Sequence, residues 1–105
     1  MAQIPIKVKE SIDKFINALE KNNIPIVKAI LFGSYAKGTF DDWSDIDIAL
    51  VSKVFVGNRF RDRSKIRPIK LSVSSDIEVL PYRPQDFNSE DPFVKEIMET
   101  GIRIV

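Results

Sequence analysis

Two short apolar runs, Ile26 to Phe32 and Asp45 to Ser52, stand on either side of a Gly33-Ser34 turn and a polar loop, and this unit limits the folds open to the chain. The first run reads as a buried strand closed by its turn residues. The second alternates Asp45, Asp47 and Ala49 with Ile46, Ile48 and Leu50, so one face of the strand is headed by carboxylates and the other is apolar. An apolar strand face needs cover. Lys7 to Asn23 offers it, with Val8, Ile12, Phe15, Ile16 and Leu19 at helical spacings of three and four. Asn22, Asn23 and Pro25 end that helix.

Beyond the turn, Tyr35 to Lys37 reads as one helical turn before Gly38, and Thr39 to Ser44 as a polar loop. After Gly57 and Asn58 a basic helix is expected over Arg59 to Lys65, with Pro68 ending it. Asp76 to Leu80 reads as a third strand, with Asp76, Glu78 and Leu80 on one face and Ile77 and Val79 on the other. Ser89 or Asp91 can cap a helix that has Pro92 in its first turn and runs through Phe93, Val94, Ile97 and Met98 to Gly101. Ile102 to Val105 is expected to form a last short strand. The elements describe an α+β fold in one domain spanning 1–105, a small mixed or antiparallel sheet with helices packed on it.

Composition narrows the chemistry. With no Cys and no His, the chain has no disulfide, thiol nucleophile, imidazole base or usual zinc ligand. Any metal must sit on oxygen, which suits Mg²⁺ foremost and Mn²⁺ next, and Mg²⁺ typically arrives with substrate phosphates. The apolar stretches fall short of a membrane span, and Met1 to Glu10 lacks the pattern of a signal peptide, so a cytoplasmic location is expected. A net charge of +1 gives no bulk argument for nucleic-acid binding. The charge is uneven, however: Lys53 to Lys70 holds seven basic residues against the single acid Asp62. A solvated helix face is its plainest reading, with a triphosphate, an RNA tail or a partner as alternatives.

The turn and the second strand together suggest a site. Gly33 lets the backbone leave a strand sharply and approach a ligand closely, and Ser34 starts a helical turn whose free N–H groups attract phosphate. Lys37 lies close enough to touch phosphate, with an ordinary surface lysine as the alternative. Asp45 and Asp47, two apart on a strand, share a face and can hold Mg²⁺. A Gly-Ser turn alone is usually only a turn, and an Asp-x-Asp alone is usually a solvated strand face. Their joint arrangement, with ten residues between them, is the layout a triphosphate and its metal require.

Gly33-Ser34, ten residues, then Asp45-x-Asp47 resembles the signature of the DNA polymerase beta-like nucleotidyltransferase superfamily. Phe32-Gly-Ser-Tyr-Ala-Lys-Gly and Ser44-Asp-Ile-Asp look like its minimal branch, often paired with HEPN-type toxins. The resemblance implies the polymerase beta-like fold, a Gly-Ser turn that grips the triphosphate, Mg²⁺ on the Asp pair, and a third carboxylate on a neighbouring strand. Strand geometry permits either Asp76 or Glu78 in that place. The branch's pattern of an acid, two residues and Pro selects Glu78, ahead of Val79, Leu80 and Pro81, although Asp is the commoner residue there. Catalytic and metal-binding roles are thus expected for Asp45, Asp47 and Glu78, and nucleotide contacts for Gly33, Ser34 and Lys37.

The implied activity is transfer of a nucleoside monophosphate, AMP from ATP, to a hydroxyl of a protein partner, as the antitoxin of a HEPN toxin pair. Two other readings stand beside it. One is a non-catalytic partner-binding module of the same fold. The other is an enzyme acting on RNA ends or a small molecule, which would need a partner subunit or a homo-oligomer cleft. Tyr35 and Trp43 can flank a base by stacking, with packing as the commoner role for such residues.

Overall fold

The computed structural model describes residues 4–105. Four strands form one mixed sheet: β1 (Lys28–Phe32), β2 (Ile46–Val51), β3 (Ile77–Tyr82) and β4 (Ile102–Arg103), in the order β3-β2-β1-β4. β1 pairs antiparallel with both β2 and β4, while β2 and β3 run parallel. The helices are α1 (Ile6–Lys21), the single turn α2 (Ser34–Lys37), α3 (Arg59–Leu71) and α4 (Pro92–Thr100), with a short 3-10 turn at Pro84–Asp86. Among the described residues no helix is long and apolar enough to cross a membrane.

Strand alternation sends the two faces of the sheet to different cores. One face presents Ala29, Leu31, Ile46, Ile48, Leu50, Ile77 and Val79, packed in a cluster with Val8, Ile12, Phe15, Ile16 and Leu19 of α1 and Ile66 of α3. The α1 stripe expected from sequence is the stripe that is buried. The other face presents Ile30, Ala49, Val51 and Tyr82, covered by Val94 and Ile97 of α4 and by Phe87. Asp47 and Glu78 lie at the same alternation phase as this second face, toward the end where β1 gives way to the Gly33 turn.

Helix ends follow their local chemistry. Asp91 supplies the cap of α4, accepting hydrogen bonds from the N–H groups of Phe93 and Val94, with Pro92 opening the helix. Asn58 caps α3 by accepting from Arg61 N at 3.0 Å. The expectation that Pro68 ends this helix is corrected: α3 runs through Pro68 to Leu71. Proline at 68 removes the N–H that would have bonded to the Ser64 carbonyl, but both residues are exposed, so water can satisfy that carbonyl. Buried Ile66 and half-buried Ile69 hold the turn on the core.

Pro81 also lies inside an element, near the end of β3. It is tolerated because β3 is an edge strand. Three strands are shorter than the sequence suggests, β2 by one residue at each end. β1 begins at Lys28, although Val27 N still donates to Val51 O at 2.8 Å, and β4 covers only Ile102 and Arg103.

Candidate active site

β1 ends at Phe32, and Gly33 turns the chain with φ 75° and ψ −150°, a region closed to residues with a Cβ. α2 follows, held by Lys37 N donating to Gly33 O at 3.1 Å, and ends at Gly38 with a left-handed cap. In a turn this short the N–H groups at its start have no intrahelical acceptor. β2 passes antiparallel beside β1 and puts Asp47 opposite Phe32. A Cβ built on Gly33 would overlap Asp47 Oδ2 and lie 3.2 Å from its carboxyl carbon. Glycine is therefore required twice at 33, by the backbone and by the carboxylate that occupies the space.

On its other side Asp47 is in register with Glu78 of β3. The Asp47 carboxyl is raised above its ordinary pKa, first by burial, then by the charges of Asp45 and Glu78. Two of the acids selected from sequence, Asp45 and Glu78, thus act on the third, Asp47, in the fold. Asp45 is exposed just ahead of β2, at the end of a loop tied by Asp41, which accepts from Trp43 N at 2.8 Å and whose own N–H donates to Ser44 Oγ at 2.9 Å. Asp76 belongs elsewhere: it is exposed ahead of β3, and its charge helps raise the hydroxyl of Tyr35, after burial.

Among the described residues no group of three acids is gathered tightly enough to hold a cation on protein ligands alone. The donors present are carboxylates, Asp47 and Glu78 side by side on neighbouring strands and Asp45 just ahead of β2, whose charges raise the Asp47 carboxyl. That chemistry fits Mg²⁺, which binds through one or two carboxylates and completes its shell with water and substrate phosphate. Glu78, half exposed, also pairs with Lys70 Nζ at 3.8 Å. Lys37 is turned toward α4, with Nζ 3.7 Å from Glu96 Oε1, on the rim of a hollow of ≈ 190 Å³ that also touches Gly33 and Phe93.

The larger cavity, ≈ 480 Å³, is not above the Gly33 turn. It follows α3 and the outer edge of β3, and its one carboxylate is Glu78. Of the two possible base-stacking aromatics, Tyr35 is buried and stacked on Phe40 with centroids 4.7 Å apart, a packing role. Trp43 is 91% exposed.

Sequence reading missed two residues here. Lys70 reaches Glu78 only because α3 extends past Pro68. Asp62 is 1% exposed and accepts from Val56 N at 2.9 Å and Gly57 N at 3.1 Å, which fixes the loop before α3. A lone acid in a basic run, five residues after Gly57, was the available signal for Asp62.

Known proteins are similar to this chain in sequence and fold. A family model described as a nucleotidyltransferase domain matches residues 12–104. Three proteins of Methanocaldococcus jannaschii named "Putative protein adenylyltransferase" are similar in sequence. One is 49% identical over 47 residues, covering 44% of this chain and 47% of the relative, so the match spans about half of that relative's length. Another is 29% identical across 90% of this chain and 68% of its own, and the third is 28% identical across 94% and 97%. The crystal structure of a "putative nucleotidyltransferase" from Sulfolobus solfataricus superposes with a TM-score of 0.60 at 20% identity, covering 98% of this chain and 89% of that one, a likeness of fold.

Proposed function

This chain belongs to the nucleotidyltransferase domain family, and from that premise we propose that it transfers AMP from ATP to a hydroxyl of a separately presented protein. The observation that supports the reading best is the position of Asp47, set against Gly33 of the turn on one side and in register with Glu78 on the other. The names of the three archaeal relatives support a protein acceptor. The sequence resemblance to the minimal branch extends the proposal to a HEPN-type toxin as that acceptor, with this chain as its antitoxin in the cytoplasm.

In this reading the first N–H groups of α2 and the Ser34 hydroxyl hold the triphosphate, with Lys37 in reach of it. Asp45, Asp47 and Glu78 would supply oxygens to Mg²⁺ beside that turn, with water and phosphate completing its shell. When bound, Mg²⁺ offsets the triphosphate's charge and makes the acceptor hydroxyl more acidic. The acceptor oxygen forms its bond to the α-phosphorus as the bond to the bridging oxygen of the β-phosphate breaks, and pyrophosphate leaves. Glu78, whose carboxylate lies 3.8 Å from Lys70 Nζ, would take the hydroxyl proton.

The test is intact-mass spectrometry of a co-purified HEPN-type protein incubated with this chain, ATP and MgCl₂. The expected result is a mass gain of one or more AMP units, absent with Asp45→Asn. An unmodified partner in a tight complex indifferent to that substitution would make the chain a non-catalytic binding module.

A further inference from the structure

α3 carries Arg59, Arg63 and Arg67 at intervals of four, so they form one stripe with steps of about 6 Å along the helix axis. Among the described residues none of these three has an acid partner. The stripe borders the ≈ 480 Å³ groove between α3 and β3, with Lys70 at its far end. The one acid in the groove, Glu78, already faces Lys70. The net charge of +1 conceals this concentration, because the balancing acids lie elsewhere. Phe60 adds an aromatic ring at the rim that is 80% exposed and has no packing role.

Two features decide which anion suits the groove. Asp76 O and Tyr82 O accept from Ile46 N and Ser52 N, so the even positions of β3 turn their backbone groups toward β2, and Ile77, Val79 and Pro81 turn theirs to the outer edge. On that outer edge the Val79 carbonyl is taken by Arg63 Nε at 3.1 Å, and Pro81 has no N–H. An acidic peptide adding as a strand therefore finds the ladder interrupted at Val79 O and at Pro81. The second feature is the exposed ring beside a hollow of nucleotide size, flanked by planar guanidinium groups that match phosphate. Cationic groove and stacking ring together are the elements of single-strand recognition.

We propose that the α3–β3 groove binds single-stranded nucleic acid, its phosphates along the arginine stripe and a base stacked on Phe60. The binding is sequence-tolerant and does not use the Gly33 turn, although Glu78 lines the groove as well as the proposed transfer site. Its readout needs neither ATP nor an acceptor protein, so it stands or falls apart from the transfer reaction.

Fluorescence anisotropy with labelled oligouridylate and oligothymidylate octamers tests it across a salt titration. Both should bind, and log affinity should fall with log salt with a slope of about −2 to −3, at about 0.7 per phosphate contact. Arg59→Gln combined with Arg67→Gln should weaken binding by about tenfold or more and flatten the slope by roughly one. Phe60→Ala should weaken it roughly tenfold with the slope unchanged. These positions are exposed, and circular dichroism will check that each variant is folded. Equal affinity for the octamer in duplex form, or no effect of Phe60→Ala, would overturn the proposal. Displacement by polyglutamate as effective as by unlabelled octamer at equal charge would overturn it in favour of an acidic protein segment.

Discussion

The two faces of the sheet are made by alternate residues of the same strands, and neighbours in sequence meet opposite conditions. Ile48 is fully buried beneath α1 and α3, while Asp47, one residue earlier, stands half-buried on the far face between Phe32 and Glu78. The first face is covered along its length by two helices. The second is covered at one end by α4 and Phe87 and carries carboxylates at the other. The packed face supplies rigidity, so the polar end can hold charges that repel one another.

Substitution at adjacent positions should separate the two faces most sharply. Asp47→Asn should reduce transfer by more than about 10²-fold, on the scale of removing one electrostatic group from an active site, while the fold stays intact by circular dichroism. Ile48→Ala should instead cost about 2–5 kcal/mol of stability in a denaturant melt. An Asp47→Asn protein that transfers AMP at the wild-type rate would place the chemistry elsewhere. Gly33→Ala tests the same boundary from β1. A Cβ there displaces the Asp47 carboxylate and strains the positive φ, so transfer should fall about as far, with a stability loss of about 1–3 kcal/mol for the strain.

How much of this contrast was legible in sequence depends on whether the cause was local. Gly33, Asp45 and Asp47 were legible because a turn and a period-two alternation are written within fifteen consecutive residues, Gly33 to Asp47. The α1 stripe was legible for the same reason. Glu78 needed more: its place beside Asp47 follows from the parallel register of β2 and β3, which strand geometry in the sequence left open between it and Asp76. The Lys70 to Glu78 pair was invisible, because it depends on α3 continuing past Pro68 on a solvent-facing side. The arginine stripe was present as spacing, yet only the groove against β3 distinguishes it from a solvated helix face.

The raised Asp47 carboxyl gives a smaller, pH-dependent effect. Between its ordinary value of 3.8 and its raised value in the fold, the native protein holds a proton that the unfolded chain has released. Stability therefore falls as pH rises through that window and stays lower above it. Asp47→Asn should flatten this part of the profile and raise the melting temperature at neutral pH. Adding ATP with MgCl₂ should raise the melting temperature of the wild-type protein and have less effect on the variant. Identical pH profiles for the two proteins would show that Asp47 carries no strain from its neighbours.

The smallest effect concerns Lys37, which lies between the two regions, at the end of α2 and facing Glu96 of α4. Both side chains are more than half exposed at 3.7 Å, so the pair itself should contribute at most about 1 kcal/mol. Its interest lies in what the lysine does when ATP is present. If Lys37 leaves Glu96 to contact phosphate, Lys37→Met should raise the KM for ATP a few-fold with kcat nearly constant. Glu96→Gln, by releasing the lysine, should lower that KM. Opposite shifts from the two substitutions are the expected outcome of steady-state kinetics over a range of ATP concentrations. If neither changes KM, Lys37 is a surface partner of α4 only, and the triphosphate is held by the Gly33-Ser34 turn and the carboxylate-bound cation without it.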